Sequence, residues 1–308
     1  MVLEGIYAPV PTPFDGTSGD IRPDMMTANV SRWADTSLDG LVICGSNGEM
    51  PFVTTEERAV MVRAARSALE SAGCQKYIMA GTFSHSTRET AECCAVCAEA
   101  GADAVLILPP YYFKSDAMAS ALRFFEDIAE ASPVPVVLYN MPANTGVSLD
   151  VATIKKLSSH PNIIGVKDTS GDMTQMCYLA NECGEDFSVF CGSGNFFLPA
   201  LSVGAKGGTL AVANIYPEAT RKLMRAYKNC KMEKARSLQY RLMIASDLLT
   251  RQLGVPGLKA AMDYVGLYGG PCRRPLIDLD GAAGERLFAA LDATRLDKHE
   301  TWRCPDPK

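Results

Sequence analysis

The chain has 308 residues, of which 47% are hydrophobic and 21% charged, and its formal net charge is −5. This composition is typical of a globular protein that buries a large core without disulfides or metals. The negative charge and the lack of a Lys/Arg-rich run argue against nucleic acid and anionic membranes as partners, and no apolar stretch is long enough to span a bilayer.

Short apolar runs recur from residue 5 to about residue 213. Several are nearly continuous hydrophobics, as expected for strands that are covered on both faces. In chain order, the eight predicted strands are Gly5–Pro11, Gly40–Cys44, Tyr77–Thr82, Ala102–Leu108, Val134–Tyr139, Ile163–Lys167, Ser188–Gly192 and Gly208–Ala213.

Amphipathic segments of helical length separate these strands. Clear examples are Thr55–Ser71, Thr87–Ala100, Ala117–Ala131 and Val151–His160. Eight strands that alternate with helices predict an α/β protein with a closed (β/α)8 TIM barrel. The alternative is an open doubly wound sheet, which usually carries a glycine-rich phosphate motif after its first strand; here the first strand ends in PTPF.

The strand pattern stops near residue 217, and helical periodicity continues over Glu233–Gln252 and Leu258–Val265 and after Gly281. We therefore expect residues 1–225 to form the barrel and residues 226–308 to form a C-terminal helical extension packed on it, as one structural unit. Residues 299–308 are expected to form a loosely ordered tail.

The cysteines indicate a reducing compartment. Their number, eleven, is odd, and Cys93, Cys94 and Cys97 lie in an alanine-rich helical segment without the paired spacing of a zinc site. With no secretory leader recognised, we expect reduced thiols and a cytoplasmic location.

Functional groups of a TIM barrel are expected at the C-terminal ends of its strands. There, Lys167 ends the run IIGVK, an unusual place for a lysine, since a buried ammonium is costly unless it is paired or neutral. A neutral amine in such a place can attack a ketone and form an iminium, which accepts electrons during C–C cleavage. The alternative is a lysine that pairs with Asp168 and reaches solvent, and the residues alone leave both open.

Two other strand ends carry candidate groups. Tyr139 ends the run VVLY and could move protons between the amine and the substrate, although a structural tyrosine is the commoner case. The loop from Gly45 to Gly48 offers backbone N–H groups and the Ser46 hydroxyl to a carboxylate, or is an ordinary glycine-rich turn. The histidines at 85, 160 and 299 lack metal-ligand spacing, and no Ser-His-Asp arrangement is recognisable.

At these residues the sequence resembles the dihydrodipicolinate synthase/N-acetylneuraminate lyase superfamily of class I aldolases. The resemblance covers nearly the whole chain through GIYAPVPTPF, GSNGEMPFVTTEER, PPYYF, VVLYNMPANTG, IIGVKDTSGD and CGSGNFFLPALSVGAKGG. The order and spacing of these segments match together, which makes the resemblance specific.

The resemblance implies a role for five residues. Lys167 is expected to be the Schiff-base lysine, Tyr139 the proton shuttle and Ser46 its hydroxyl partner. Ser46 and Asn47 are expected to hold the carboxylate of a 2-oxo acid through their main chain. Tyr112 is similar to the tyrosine that such enzymes place into the site of a neighbouring subunit, which implies a homo-oligomer and, by the habit of the family, a homotetramer built as a dimer of dimers.

The predicted substrate-binding set also includes Gly48, Thr169, Gly192, Ser193 and Asn144. At the position of Asn144, dihydrodipicolinate synthases carry an arginine in NxPxRTG, which pairs with the carboxylate of the second substrate. A neutral amide offers no such bidentate charged contact, so that synthase activity is disfavoured.

Within the superfamily, the segment LGVPGLKAAMDYVGLYGGPCRRPL and the motif PANTG most resemble 4-hydroxy-2-oxoglutarate aldolases. The expected reaction is cleavage of a 4-hydroxy-2-oxo acid to pyruvate and an aldehyde, with no organic cofactor or metal. The alternatives are a dehydratase or aldolase of 3-deoxy-2-oxo sugar acids, a 4-hydroxy-tetrahydrodipicolinate synthase, and a non-catalytic 2-oxo-acid sensor. Arg273 and Arg274 are expected to cover the surface.

Overall fold

Eight parallel strands close into a barrel in the computed structural model of the protein, which describes residues 3–296. Each strand pairs with the next in the chain, and the first pairs with the last. The predicted (β/α)8 TIM barrel is thereby confirmed. The strands are β1 (Gly5–Pro9), β2 (Gly40–Ile43), β3 (Tyr77–Gly81), β4 (Ala104–Ile107), β5 (Val136–Asn140), β6 (Ile163–Asp168), β7 (Ser188–Cys191) and β8 (Gly207–Thr209).

Helices follow the strands and mostly cover the outside of the barrel, and further helices continue the chain after the last strand. They are α1 (Pro23–Ala34), α2 (Thr55–Ser71), α3 (Thr87–Glu99), α4 (Ala117–Ala131), α5 (Pro142–Thr145), α6 (Val151–Leu157), α7 (Met173–Glu182), α8 (Phe197–Ser202), α9 (Pro217–Lys228), α10 (Met232–Asp247), α11 (Gly254–Tyr264) and α12 (Gly281–Ala293). Short 3₁₀ turns span Ser46–Gly48, Met50–Phe52, Gly194–Phe196 and Ala211–Asn214, and a π-helical turn spans Leu248–Gln252. No helix among the described residues is long and apolar enough to cross a membrane.

The alternation of side chains along each strand separates two cores. Inward residues such as Tyr7, Val42, Met79 and Phe190 form a buried cluster inside the barrel. Outward residues such as Ile6 join a larger cluster between the strands and the helices. Because both faces are covered, the strands read as continuous apolar runs in the sequence.

The last strand is shorter than the predicted run Gly208–Ala213. The ladder of β8 ends at Thr209, and the chain then turns through Ala211–Asn214. The Asn214 side chain donates hydrogen bonds to the Pro9 and Ala211 carbonyls and so fixes this turn beneath the helices. The turn is buried, and its apolar residues therefore resembled a strand.

The C-terminal extension consists of α10 to α12. The expected boundary between residues 225 and 226 falls inside α9, which packs against the barrel and α10. Helix α11 begins at Gly254, earlier than the predicted start at Leu258. Pro256 fits into its first turn, because the N–H that proline lacks would have no partner within the helix there. Residues 299–308, the predicted tail, lie outside the described residues.

Candidate active site

A cavity of about 720 Å³ opens at the C-terminal ends of the strands. This is the end of a TIM barrel at which active sites are found. Its wall combines strand ends with the segment that connects α10 to α11. The lining residues include Ser46, Asn47, Tyr139, Asn144, Lys167, Thr169, Ser170, Gly192, Ser193, Asn195, Thr250 and Arg251.

Lys167 and Tyr139 stand side by side at the bottom of this cavity. They are register partners on β6 and β5, so their side chains point to the same face of the sheet. The Lys167 Nζ lies 4.1 Å from the centroid of the Tyr139 ring. Each residue is only 3% exposed, so an amine and a phenol meet in a site that excludes most water.

Lys167 does not pair with Asp168, which corrects the alternative that the sequence left open. Successive residues of a strand point to opposite faces. Asp168 therefore lies behind the sheet, where its carboxylate accepts hydrogen bonds from Asn140 Nδ2 at 3.0 Å and from Gln175 Nε2 at 2.9 Å. The Ser170 N–H adds a third hydrogen bond at 2.7 Å.

The surroundings of Tyr139 lower the pKa of its phenol. Burial is the largest single influence and raises the pKa of the phenol. The positive charge of Lys167 and hydrogen bonds from Ser46 and Lys167 act in the opposite direction and outweigh it, so the pKa is lowered from its ordinary value. The Ser46 hydroxyl donates to the Tyr139 oxygen at 3.4 Å. Such a phenol can take a proton from a hydroxyl and return it.

The turn Ser46–Gly48 supplies backbone donors at the cavity wall. The first N–H groups of a helical turn have no partner within the turn, which leaves those of Ser46 and Asn47 for an anion. The predicted contribution of Gly48 needs correction. Its N–H donates to the Gly45 carbonyl at 2.9 Å, and its own carbonyl accepts from Thr12 Oγ1 at 2.6 Å, so both of its polar backbone groups are already engaged.

The other predicted residues line the cavity. Thr169 directs both its N–H and its hydroxyl to the Asn140 carbonyl at 2.9 Å. A Cβ on Gly192 would lie 2.7 Å from the Thr169 methyl group, so this position excludes a side chain. The Ser193 hydroxyl accepts the Asn195 N–H at 3.2 Å. Asn144 is exposed on the short helix α5 at the mouth of the cavity.

Tyr112 lies apart from the cavity lining. It is 74% exposed, and its neighbour Phe113 is 79% exposed. Its ring makes an edge contact with Phe113 at 5.1 Å and another with His85 at 6.1 Å between centroids. Within this chain the structure therefore does not bring Tyr112 to Lys167, and His85 belongs to the aromatic group of Tyr112.

Two parts of the site were missed by sequence reasoning. The π-helical turn Leu248–Gln252 brings Thr250 and Arg251 to the cavity. In sequence this segment continues the periodicity of α10, and only the insertion of a π turn, a feature common at functional sites, gives a structural signal. Asn195 also reaches the cavity, and its side chain donates to Asp247 at 3.2 Å.

Arg273 and Arg274 were expected on the surface; Arg274 is exposed, whereas Arg273 is partly buried and lies outside the cavity lining. Its guanidinium is 19% exposed and forms two hydrogen bonds to the Glu57 carboxylate, at 2.6 and 2.7 Å. Its Nη2 also donates to the Gly19 carbonyl at 2.8 Å. The Arg273 guanidinium can be partly buried here because a carboxylate and backbone carbonyls accept its hydrogen bonds.

No group of three or more His, Cys, Asp or Glu side chains in residues 3–296 is placed to hold a metal ion. The cavity wall itself contains the cations Lys167 and Arg251 and no carboxylate. An anionic substrate is therefore electrostatically suited to the cavity.

The chain is similar to known proteins along most of its length. The model of the dihydrodipicolinate synthetase family matches residues 2–294. A probable mitochondrial 4-hydroxy-2-oxoglutarate aldolase of Emericella nidulans is 36% identical over 279 residues, which cover 90% of each chain. An L-threo-3-deoxy-hexylosonate aldolase of Hypocrea jecorina is 35% identical over 90% of this chain and 91% of its own. The crystal structure of a dihydrodipicolinate synthase from Bacillus anthracis has a TM-score of 0.90 and 30% identity, and covers 95% of this chain and 99% of its own.

Proposed function

Since this chain belongs to the dihydrodipicolinate synthetase family and is a lyase of the aldolase type, we propose that it cleaves 4-hydroxy-2-oxoglutarate into pyruvate and glyoxylate through a Schiff base on Lys167. The observation that carries the proposal is the pair of Lys167 and Tyr139, in register and 3% exposed, at the bottom of the cavity. The similar Emericella protein, named as a 4-hydroxy-2-oxoglutarate aldolase, supports the choice of substrate.

The reaction follows from the placement of these groups. The Lys167 amine adds to the C2 ketone, and loss of water gives an iminium. The Tyr139 phenolate removes the proton of the C4 hydroxyl, the C3–C4 bond breaks, and its electron pair moves into the iminium to give an enamine while glyoxylate leaves. Protonation of C3 and hydrolysis then release pyruvate and the free amine. The Ser46 and Asn47 N–H groups hold the C1 carboxylate throughout.

Product analysis tests the proposal. Purified protein is incubated with 4-hydroxy-2-oxoglutarate, and pyruvate and glyoxylate are quantified separately. Equal amounts of both products are expected. Formation of neither product, by a protein that turns over another 2-oxo acid, would contradict the assignment of substrate.

The second candidate is cleavage or dehydration of a 3-deoxy-2-oxo sugar acid. It is favoured by the 35% identical Hypocrea relative, named as a 3-deoxy-hexylosonate aldolase. Such a substrate has a neutral polyhydroxylated tail, whereas 4-hydroxy-2-oxoglutarate has a second carboxylate. Arg251 lines the cavity with an exposed side chain, and its Nη1 lies 3.5 Å from Asp247 Oδ1. It would distinguish these tails by exchanging Asp247 for the second carboxylate of the substrate, because a guanidinium binds a carboxylate more strongly than a hydroxyl.

Replacement of Arg251 by Gln is expected to raise KM for 4-hydroxy-2-oxoglutarate by about tenfold or more, the effect of losing a charge-assisted hydrogen bond. For 4-hydroxy-2-oxopentanoate, which lacks the second carboxylate, KM should change by less than about threefold. Steady-state pyruvate release measures both. Arg236→Gln is the matched control, because Arg236 pairs with exposed Glu233 on α10 and lies outside the cavity lining. Equal effects of Arg251→Gln on both substrates would contradict the second-carboxylate role.

Replacement of Ser46 by Ala is expected to move the acidic limb of the pH profile of kcat to higher pH. Cleavage requires the phenolate, so activity falls as the pH drops through the pKa of Tyr139. The hydrogen bond from Ser46 lowers that pKa, and its loss raises it. Ser202→Ala is the control, since its hydroxyl donates to the Leu198 carbonyl within α8. A limb that stays in place or moves to lower pH would argue against Ser46 as the partner of Tyr139.

The oligomeric state and the cellular compartment of the protein stay predictions. We propose that Tyr112 completes the site of a neighbouring subunit in a homotetramer, which would account for its 74% exposure beside Phe113. The cytoplasm is proposed as the compartment in view of the unpaired cysteines of the described residues. No organic cofactor or metal enters the proposed reaction.

A further inference from the structure

A buried ion pair connects the C-terminal extension to the turn at the cavity wall. Lys259 Nζ, on α11, lies 2.6 Å from Glu49 Oε1, and the side chains are 2% and 0% exposed. Lys259 also donates to the Pro271 carbonyl at 2.6 Å, and Glu49 Oε2 accepts the Arg273 N–H at 2.8 Å. Neither charge lines the cavity, and neither takes part in the proposed reaction.

Glu49 occupies the corner that ends the turn Ser46–Gly48. Its backbone is left-handed, with φ 58° and ψ 39°, a conformation that costs free energy for a residue with a side chain. Its N–H donates to the Ser46 carbonyl at 3.1 Å, and its carbonyl accepts the Phe52 N–H at 2.8 Å. The corner therefore links the two 3₁₀ turns and must be held by its surroundings.

Arg58 binds the backbone on both sides of this corner. This buried guanidinium donates to the Cys44, Met50 and Val53 carbonyls at 3.2, 3.1 and 3.0 Å. These contacts fix the two ends of the loop. Among the described residues, the Glu49 side chain is contacted by Lys259 and by the Arg273 N–H, both of them outside the barrel strands.

Stability alone is a poor explanation for this pair. A buried ion pair often contributes no more to stability than neutral side chains of the same shape, because removing two charges from water offsets their attraction. What a buried pair does provide is a defined geometry, since leaving either partner uncompensated is strongly unfavourable. The partner of Glu49 lies 210 positions away in the chain, on a helix appended to the barrel.

We propose that the Glu49–Lys259 ion pair is a positioning device for substrate binding. It fixes the corner after Gly48 and so keeps the Ser46 and Asn47 N–H groups directed at the carboxylate of the 2-oxo acid. The affinity of a barrel site for its substrate thus depends on a helix of the C-terminal extension. This inference rests on the proposed function, because it assumes that these N–H groups bind the C1 carboxylate.

The test uses a double variant, Glu49→Gln with Lys259→Met, which removes both charges and keeps the buried volume. Reduction with borohydride at increasing pyruvate concentration gives a half-saturating concentration and a maximal trapping rate. The half-saturating concentration is expected to rise by about tenfold or more, as for loss of a hydrogen bond to a charged group. The maximal rate should stay within about threefold, because Lys167 and Tyr139 are untouched.

The matched control removes the Arg66–Asp103 ion pair, which joins α2 to the start of β4 at the opposite end of the barrel. Arg66→Gln with Asp103→Asn is expected to retain the wild-type half-saturating concentration. A wild-type value in the Glu49–Lys259 variant, or equal shifts in both double variants, would overturn the inference.

A single variant is used if the double variant does not fold. If the double variant does not give the circular dichroism spectrum of the folded protein, Glu49→Asp keeps the charge and draws the carboxylate away from Lys259. The half-saturating concentration should then rise by about threefold, and an unchanged value overturns the inference. If wild-type protein forms no pyruvate adduct, the proposed function fails, and the inference fails with it. If wild-type protein forms the adduct and the variants keep the wild-type half-saturating concentration, the positioning role alone is refuted.

Discussion

Replacement of Lys167 by Met is expected to lower kcat by about 10⁶-fold, the scale on which removal of a covalent nucleophile acts. Methionine retains most of the buried volume but cannot form an iminium, so no electron sink is available for C–C cleavage. Pyruvate release from 4-hydroxy-2-oxoglutarate measures the loss.

The same substitution should not unfold the protein. Lys167 is 3% exposed, and its carboxylate neighbour on the strand is directed to the opposite face. Among the described residues no carboxylate pairs with Lys167, and its main polar contact is with Tyr139, so the melting temperature is expected to change little. Lys206→Met, a lysine outside the cavity, serves as the control for activity. Retained activity in Lys167→Met, together with loss of activity on chelation of metals, would contradict the covalent mechanism.

Replacement of Tyr139 by Phe is expected to lower kcat by about 10²- to 10⁴-fold, the contribution of a positioned acid or base. The loss should be smaller than for Lys167→Met, because the amine remains and the pyruvate adduct still forms, only more slowly. Rates of cleavage and rates of adduct formation are measured on the same preparation.

Tyr7→Phe is the matched control for this variant. Tyr7 is buried inside the barrel on β1, and its ring lies 5.4 Å from that of Phe190. Burial raises the pKa of Tyr7, in contrast to the lowered pKa of Tyr139, so it has no tendency to act as a base. Equal losses in the two variants would mean that the phenol of Tyr139 serves packing and not proton transfer.

The fold could be predicted because its strands are covered on both faces. Continuous apolar runs followed by amphipathic segments indicate parallel strands and helices, and eight such strand–helix units indicate a closed barrel. Lys167 and Tyr139 could be selected for the same reason, since each ends an apolar run at the end of the barrel where sites form. That they are neighbours requires the register between β5 and β6, which the sequence does not contain.

Other contacts depend on how distant segments fold back. Arg251 continues the pattern of α10 and reaches the cavity only through the π turn Leu248–Gln252. Arg273 is adjacent to Arg274 in a polar segment, and its burial depends on Glu57, more than 200 positions away. Lys259 reads as one polar residue on an amphipathic helix, and only the docking of α11 brings it to Glu49.

The central claim is that Lys167 forms a Schiff base with a 2-oxo acid. Mass spectrometry after borohydride reduction in the presence of pyruvate tests it most directly, with Lys167→Met as the comparison. A mass increase from one reduced pyruvate, mapped by peptide analysis to Lys167 and missing in the variant, is the predicted result. Folded wild-type protein without an adduct, or an adduct on another lysine of equal yield in both proteins, would contradict the claim.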